Sequence, residues 1–135
     1  MYTLHATIES TEHNYSAYIE NLDGIVATGA TIAEIKESLL SAVADFRESC
    51  KELGCELPDE IKEDDFQIEF KMDVKSLLNL YTGIFTKSGL ERLTGINQKQ
   101  LWHYANGKSV PRKKQVKRIE QAIHRLGQEL IAIQL

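Results

Sequence analysis

Thr86-Lys87-Ser88-Gly89-Leu90-Glu91-Arg92-Leu93-Thr94-Gly95-Ile96-Asn97-Gln98-Lys99-Gln100-Leu101-Trp102-His103-Tyr104-Ala105-Asn106-Gly107-Lys108 is the stretch whose local pattern is sharpest in this chain. It reads as helix, tight turn, helix. Leu90 and Leu93 supply the apolar face of a short first helix, Gly95 permits the turn, and Ile96, Leu101 and Tyr104 supply the apolar face of the second. Asn97 stands where it can cap that second helix. Outward on its first turns remain Gln98, Lys99, Gln100, Trp102 and His103. Such side chains suit the major groove of DNA: glutamine pairs with adenine N6/N7, lysine donates to guanine O6/N7, and a helix N-terminus favours a nearby phosphate. Lys87 before them, and Lys108, Arg112, Lys113 and Lys114 after them, fit phosphate contacts that set register without reading bases. A plain helical hairpin with a solvated polar face is the competing reading. The glycine turn, the capped second helix and the basic flanks together weigh against it.

Upstream, Leu77, Leu78, Leu80, Tyr81, Ile84 and Phe85 predict a helix after Asp73, so a domain junction is expected near Met72 to Val74 with no flexible linker. Before it, Tyr2, Leu4, Ala6 and Ile8 alternate with polar residues, as do Tyr15, Ala17 and Ile19 beyond the polar turn Thr11 to Asn14. Leu22-Asp23-Gly24 predicts a second turn and Ile25 to Thr28 a short third strand ending at Gly29. Thr31 with Glu34 reads as a capping box, the glutamate reaching back to the cap. Ile32, Ile35, Leu39, Val43, Phe46, Cys50 and Leu53 then recur at steps of three and four until Gly54, an expected C-terminal cap. Past a loop carrying Pro58 and the run Asp59 to Asp65, Phe66, Ile68, Phe70 and Met72 alternate as a fourth strand. The pattern is β-β-β-α-β with one helix on one face of a small sheet.

Downstream, Pro111 is expected in the first turn of a last helix, along which Val116, Ile119, Ile123, Leu126, Leu130 and Ile133 repeat at steps of three and four. The final Leu130-Ile131-Ala132-Ile133-Gln134-Leu135 is apolar nearly all round. A partner subunit is the economical cover for it; folding back on its own domain is the alternative.

With 135 residues, 42% hydrophobic and 27% charged, the chain is not disordered, fibrous or low in complexity. No apolar run reaches the roughly 20 residues of a bilayer-spanning helix. The start, Met1 to Ala6, lacks a basic stretch followed by an apolar one, so no secretory signal is expected and a cytoplasmic location is. Two cysteines are too few for a disulfide framework, and reduced thiols are expected. The net charge of −4 divides unevenly: residues 1–80 hold six Lys/Arg against seventeen Asp/Glu, residues 81–135 ten against three. A basic part suits phosphates and an acidic part suits a cationic protein, unless the split is accidental. The run Asp59 to Asp65 reads either as a solvated loop or as a surface that meets cations.

Catalytic residues are not evident. Glu9 ends the first strand, Asp45 and Glu48 flank the helix stripe as solvated groups, and Asp23 suits its own turn, so the gathered carboxylates of a metal-dependent nuclease are missing. Cys50 and Cys55 have no second Cys/His pair at zinc spacing. His5, His13 and His124 have no motif context. No enzyme activity, metal or cofactor is expected.

The pattern Ser88-Gly89-Leu90, Leu93-Thr94-Gly95-Ile96, Leu101, Tyr104-Ala105-Asn106-Gly107-Lys108 and Pro111 resembles the phage-repressor class of helix-turn-helix domains. Tyr15-Ser16-Ala17-Tyr18-Ile19-Glu20-Asn21-Leu22-Asp23-Gly24-Ile25-Val26-Ala27-Thr28-Gly29, followed by Thr31 and Glu34, is similar to the HicB antitoxin family. The two resemblances cover nearly the whole chain. They imply an α+β protein: a partial RNase H-like domain over 1–73 that binds a HicA-type mRNA-cleaving toxin, and an all-α helix-turn-helix domain over 74–135 that binds double-stranded operator DNA and dimerises. A homodimer or higher homo-oligomer without membrane contact is implied. By the same resemblance Lys87 clamps backbone, Gln98, Lys99 and His103 face bases, and Asn106 with Lys108 holds phosphate. Ser88, Asn97, Gln100, Trp102, Arg112 and Lys113 complete the expected DNA-binding set. Trp102 has three open roles: against a thymine methyl, along sugar-phosphate, or against the neighbouring domain. A repressor whose first domain senses a small ligand is the rival reading.

Overall fold

The computed structural model describes Met1–Leu135, an α+β chain with a four-stranded sheet and five α-helices that divides into two compact units, Met1–Met72 and Asp73–Leu135. Asp73 belongs with the second because its carboxylate caps the first helix there, accepting from the Ser76 amide at 2.8 Å.

In the first unit, β1 (Tyr2–Ser10), β2 (Tyr15–Ile19) and β3 (Val26–Gly29) form an antiparallel meander. Helix α1 (Ile32–Leu53) then crosses over to β4 (Phe66–Lys71), which lies parallel to β1 at the opposite edge, giving the order β3-β2-β1-β4. The period-two pattern decides which side faces α1: Leu4, Ala6, Ile8, Ala17, Ile19 and Ala27 are buried with Ile25, Ile35, Leu39 and Val43. Tyr2, expected on that row, is exposed at the start of its strand.

At the start of α1, Thr31 accepts from the Glu34 amide at 3.1 Å, but the Glu34 carboxylate bonds the Ala30 amide, one residue before the cap. The helix stripe holds as far as Cys50 and then fails. Leu53, the last residue of this 22-residue helix, is 83% exposed. Gly54 ends it at φ 70°, where a side chain is strained, and donates to the carbonyls of Cys50 and Lys51. That left-handed turn folds Cys55 back until the Cα atoms of Cys50 and Cys55 are 5.1 Å apart, and the two are joined in a disulfide rather than held as thiols.

The acidic stretch after the disulfide is anchored at two points. Ile61, at the end of a single 3-10 turn (Asp59–Ile61), is fully buried against the sheet. Arg47 reaches from α1 to donate to the carbonyls of Ile61 and Glu63 and to the Asp64 carboxylate. On the surface, the Lys62 ammonium donates to Asp59 at 2.8 Å, which holds that carboxyl below and the ammonium above its ordinary range. Arg47→Ala should cost the first unit about 1–3 kcal/mol and open residues 59–65 to proteases. Urea titration and timed proteolysis check this, and an unchanged cleavage pattern would mean that Ile61 alone holds the loop.

The second unit contains α2 (Val74–Leu80), α3 (Lys87–Thr94), α4 (Gln98–Ala105) and α5 (Lys113–Ile131) around Val74, Leu78, Leu90, Ile96, Leu101, Tyr104, Ala105 and Ile119. Pro111 lies outside α5, whose N-cap is Arg112. Only Ile119 and Ala122 of α5 are buried; Val116, Leu130, Ile131, Ile133 and Leu135 are exposed, so the terminus does not fold back on its own unit.

Candidate nucleic-acid interface

Helix α3 begins at Thr86, whose hydroxyl accepts from the Gly89 amide at 2.9 Å, placing Lys87 and Ser88 in the first turn. At its end Thr94 donates to the Leu90 carbonyl at 2.7 Å and accepts from the Ile96 amide at 3.1 Å, which turns the chain inside the core. Gly95 carries φ +73°, and a Cβ there would stand 2.7 Å from Arg118 Nη2, the group that donates to the Gly95 carbonyl. The left-handed conformation requires glycine at this corner, whereas the flexible end of Arg118 can swing aside from a Cβ at the cost of its bond to the carbonyl.

Helix α4 is seated by Leu101, Tyr104 and Ala105, and by Asn79, whose amide donates to the Ala105 carbonyl at 2.8 Å. Two of its leading amides already have side-chain acceptors. Asn97 accepts from the Lys99 amide at 2.8 Å, and the Glu91 carboxylate accepts from the Gln98 amide at 3.0 Å. An acidic side chain of the same unit, Glu91, thus stands at the helix end where a phosphate is expected from the sequence.

The expected contact residues divide by what they touch. Gln98 and Lys99 extend from the first turn with exposed side chains, and Ser88 is exposed on α3 while Lys87 is half-buried. Gln100 is half-buried and donates to the Ser109 hydroxyl at 2.9 Å; Asn106 donates to the Trp102 carbonyl at 2.8 Å; Asn97 serves the cap. Trp102 is 43% exposed between the His103 ring, 5.6 Å away, and the Lys108 ammonium, 4.2 Å above its own ring. The indole thus holds a cation in place on the surface.

Helix α5 differs from the other four. Thr31, Asp73, Thr86 and Asn97 cap α1 to α4 with side chains, whereas Arg112 makes no capping hydrogen bond. Arg112, Lys113 and Lys114 are all exposed there. Three cations at the positive end of a helix dipole oppose folding, and the amides beside them have no side-chain acceptor at the cap. An anion would relieve both. Over residues 73–135 there are eleven Lys/Arg against four Asp/Glu.

Glu91, Ser109, Asn79 and Arg118 shape this surface and were missed from sequence, because each acts on a residue from 7 to 26 positions away with no local pattern to announce it. No three His, Cys, Asp or Glu side chains gather to hold a metal ion, and no helix is long and apolar enough to cross a membrane. No family model, curated protein or solved structure matches the chain.

Proposed function

We propose that this chain is an antitoxin of the HicB type, which binds a HicA-type mRNA-cleaving toxin through its first unit and represses its own operon through its second. In this reading α3 and α4 are a helix-turn-helix, α4 lies in the major groove, and Lys87, Arg112, Lys113 and Lys114 hold phosphates. The first unit is a reduced RNase H-like domain without catalysis. Its support is the meander, helix and parallel fourth strand, together with the acidic excess that suits a cationic partner. The exposed apolar residues Val116 and Leu130 of α5, with Ile133 just beyond its end, pair two chains so that two half-sites are bound.

The observation that carries the reading is the uncapped, triply cationic start of α5 in the same unit as an outward-facing Gln98 and Lys99. Stability and function pull in opposite directions there. Lys113→Glu should raise the stability of the unliganded protein by about 0.3–1 kcal/mol and weaken DNA binding at every sequence. The decisive experiment titrates the full chain onto the DNA upstream of its own coding region at several salt concentrations, and tests co-purification with the small protein encoded beside it. Each phosphate contact steepens the slope of log affinity against log salt by about 0.9. A flat slope defeats the DNA reading; absence of a co-purifying partner defeats the toxin reading and leaves a repressor.

A further inference from the structure

Strand β4 closes one side of the sheet with an edge that the fold leaves bare. It pairs with β1 through an unbroken parallel register, Tyr2↔Phe66 to Thr7↔Lys71, and has no strand on its other side. Helix α1 packs on the core row of β1, β2 and β3, its backbone approaching most closely at β3 on the far edge, and the 3-10 turn lies against β1. The inward row of β4, Phe66, Ile68 and Phe70, is accordingly only half-buried, while Asp65, Gln67, Glu69 and Lys71 are exposed. A bare edge of this kind is normally protected by proline, by a bulge, by a covering element or by charged side chains, and charges of both signs leave it open to a partner whose charges match them. Here there is no proline and no break in register, and the outward residues Asp65, Gln67, Glu69 and Lys71 carry both signs of charge. Within the chain Asp65 stands 3.7 Å from the Met1 ammonium, Gln67 donates to the Thr3 hydroxyl and Glu69 lies 3.8 Å from His5, while Lys71 has no acidic partner in the same chain.

We infer that this edge is an interface between two copies of the chain, which join β4 to β4 in antiparallel fashion about a two-fold axis through Ile68. Antiparallel self-pairing keeps the inward rows together only in registers centred on a residue, and charge chooses among them. Centred on Glu69, the strands place two glutamates face to face. Centred on Phe70, they leave Phe66 beyond the overlap. Centred on Ile68, they engage all of β4: Asp65 faces the partner's Lys71 twice by symmetry, Gln67 faces the partner's Glu69, and Phe66 packs against the partner's Phe70 on either side of the two Ile68 side chains. The half-buried row becomes the middle of an eight-stranded sheet, and every charge on the edge meets an opposite or polar neighbour. The inference concerns the first unit alone and holds whether or not the second binds DNA.

Sedimentation velocity on the full chain tests it. Lys71→Asp should halve the mass of the particle, and Asp65→Lys with Lys71→Asp should restore it, because the exchange of signs recreates both ion pairs. If α5 also joins chains, the halving runs from four chains to two; if not, from two to one. Circular dichroism reports whether each exposed substitution leaves the fold intact. A monomeric wild type, a Lys71→Asp particle of unchanged mass, or rescue by Glu69→Lys with Lys71→Asp in place of the Asp65 exchange would each overturn the proposal.

Discussion

Leu101→Ala is expected to lower the stability of the second unit by about 2–5 kcal/mol and to abolish tight DNA binding with it. Leu101 is completely buried, on a helix of eight residues that has only Tyr104 and Ala105 as its other buried members. The substitution removes the methyl groups that fill the space among Leu78, Leu90, Ile96 and Ile119, and a short helix cannot close the cavity without tilting. A tilt moves Gln98, Lys99 and His103 together, so the loss of affinity should exceed that from deleting any one of them. The protein carries its own probe: the single tryptophan, Trp102, is the next residue along. Its fluorescence in a denaturant titration reports α4 directly. A loss below 1 kcal/mol, in the range of surface changes, would show that α4 is held from elsewhere.

Gln98→Ala and Lys99→Ala should each weaken operator binding by about 1–3 kcal/mol, roughly five- to 150-fold, and relax preference at single base positions. Lys113→Ala should weaken specific and random DNA alike and lower the salt slope by about one. The contrast rests on position. Gln98 and Lys99 leave the first turn of α4 exposed, whereas Lys113 opens α5, where only backbone amides and cations are on offer. Gln100 is a useful third variant, since its amide is spent on Ser109; Gln100→Ala should act through the loop after α4, with a small effect spread over all sequences. Competition titrations with operator and scrambled duplexes separate the cases. Equal losses on both duplexes for Gln98, Lys99 and Lys113 would remove base reading from α4.

Local pattern made much of this molecule legible. Alternation located the first, second and fourth strands, the turn at Asp23-Gly24 and Gly29 bracketed the third, the three-four spacing located α1 and α5, and Thr31, Gly54, Gly95 and Asn97 marked helix ends, because periodicity, turns and capping depend on near neighbours in sequence. Reading failed where the neighbour is distant. Glu91 at the start of α4, Arg47 across the acidic loop, the buried Ile61 within a charged run and the Cys50–Cys55 bond all depend on where the chain returns.

By itself the sequence determined the order and approximate place of the strands and helices, which of their faces are apolar and how charge is apportioned between the two halves, since these follow from side-chain type and spacing; the helix after Asp73 was read on to Phe85, whereas α2 ends at Leu80 and Ile84 is exposed. Tertiary structure alone decided that β4 runs parallel to β1 at an open edge, that α4 begins on an internal carboxylate, and that α5 begins without a cap. The physical reason is that hydrogen-bond partners and bare edges are properties of proximity in space, which spacing along a chain does not encode.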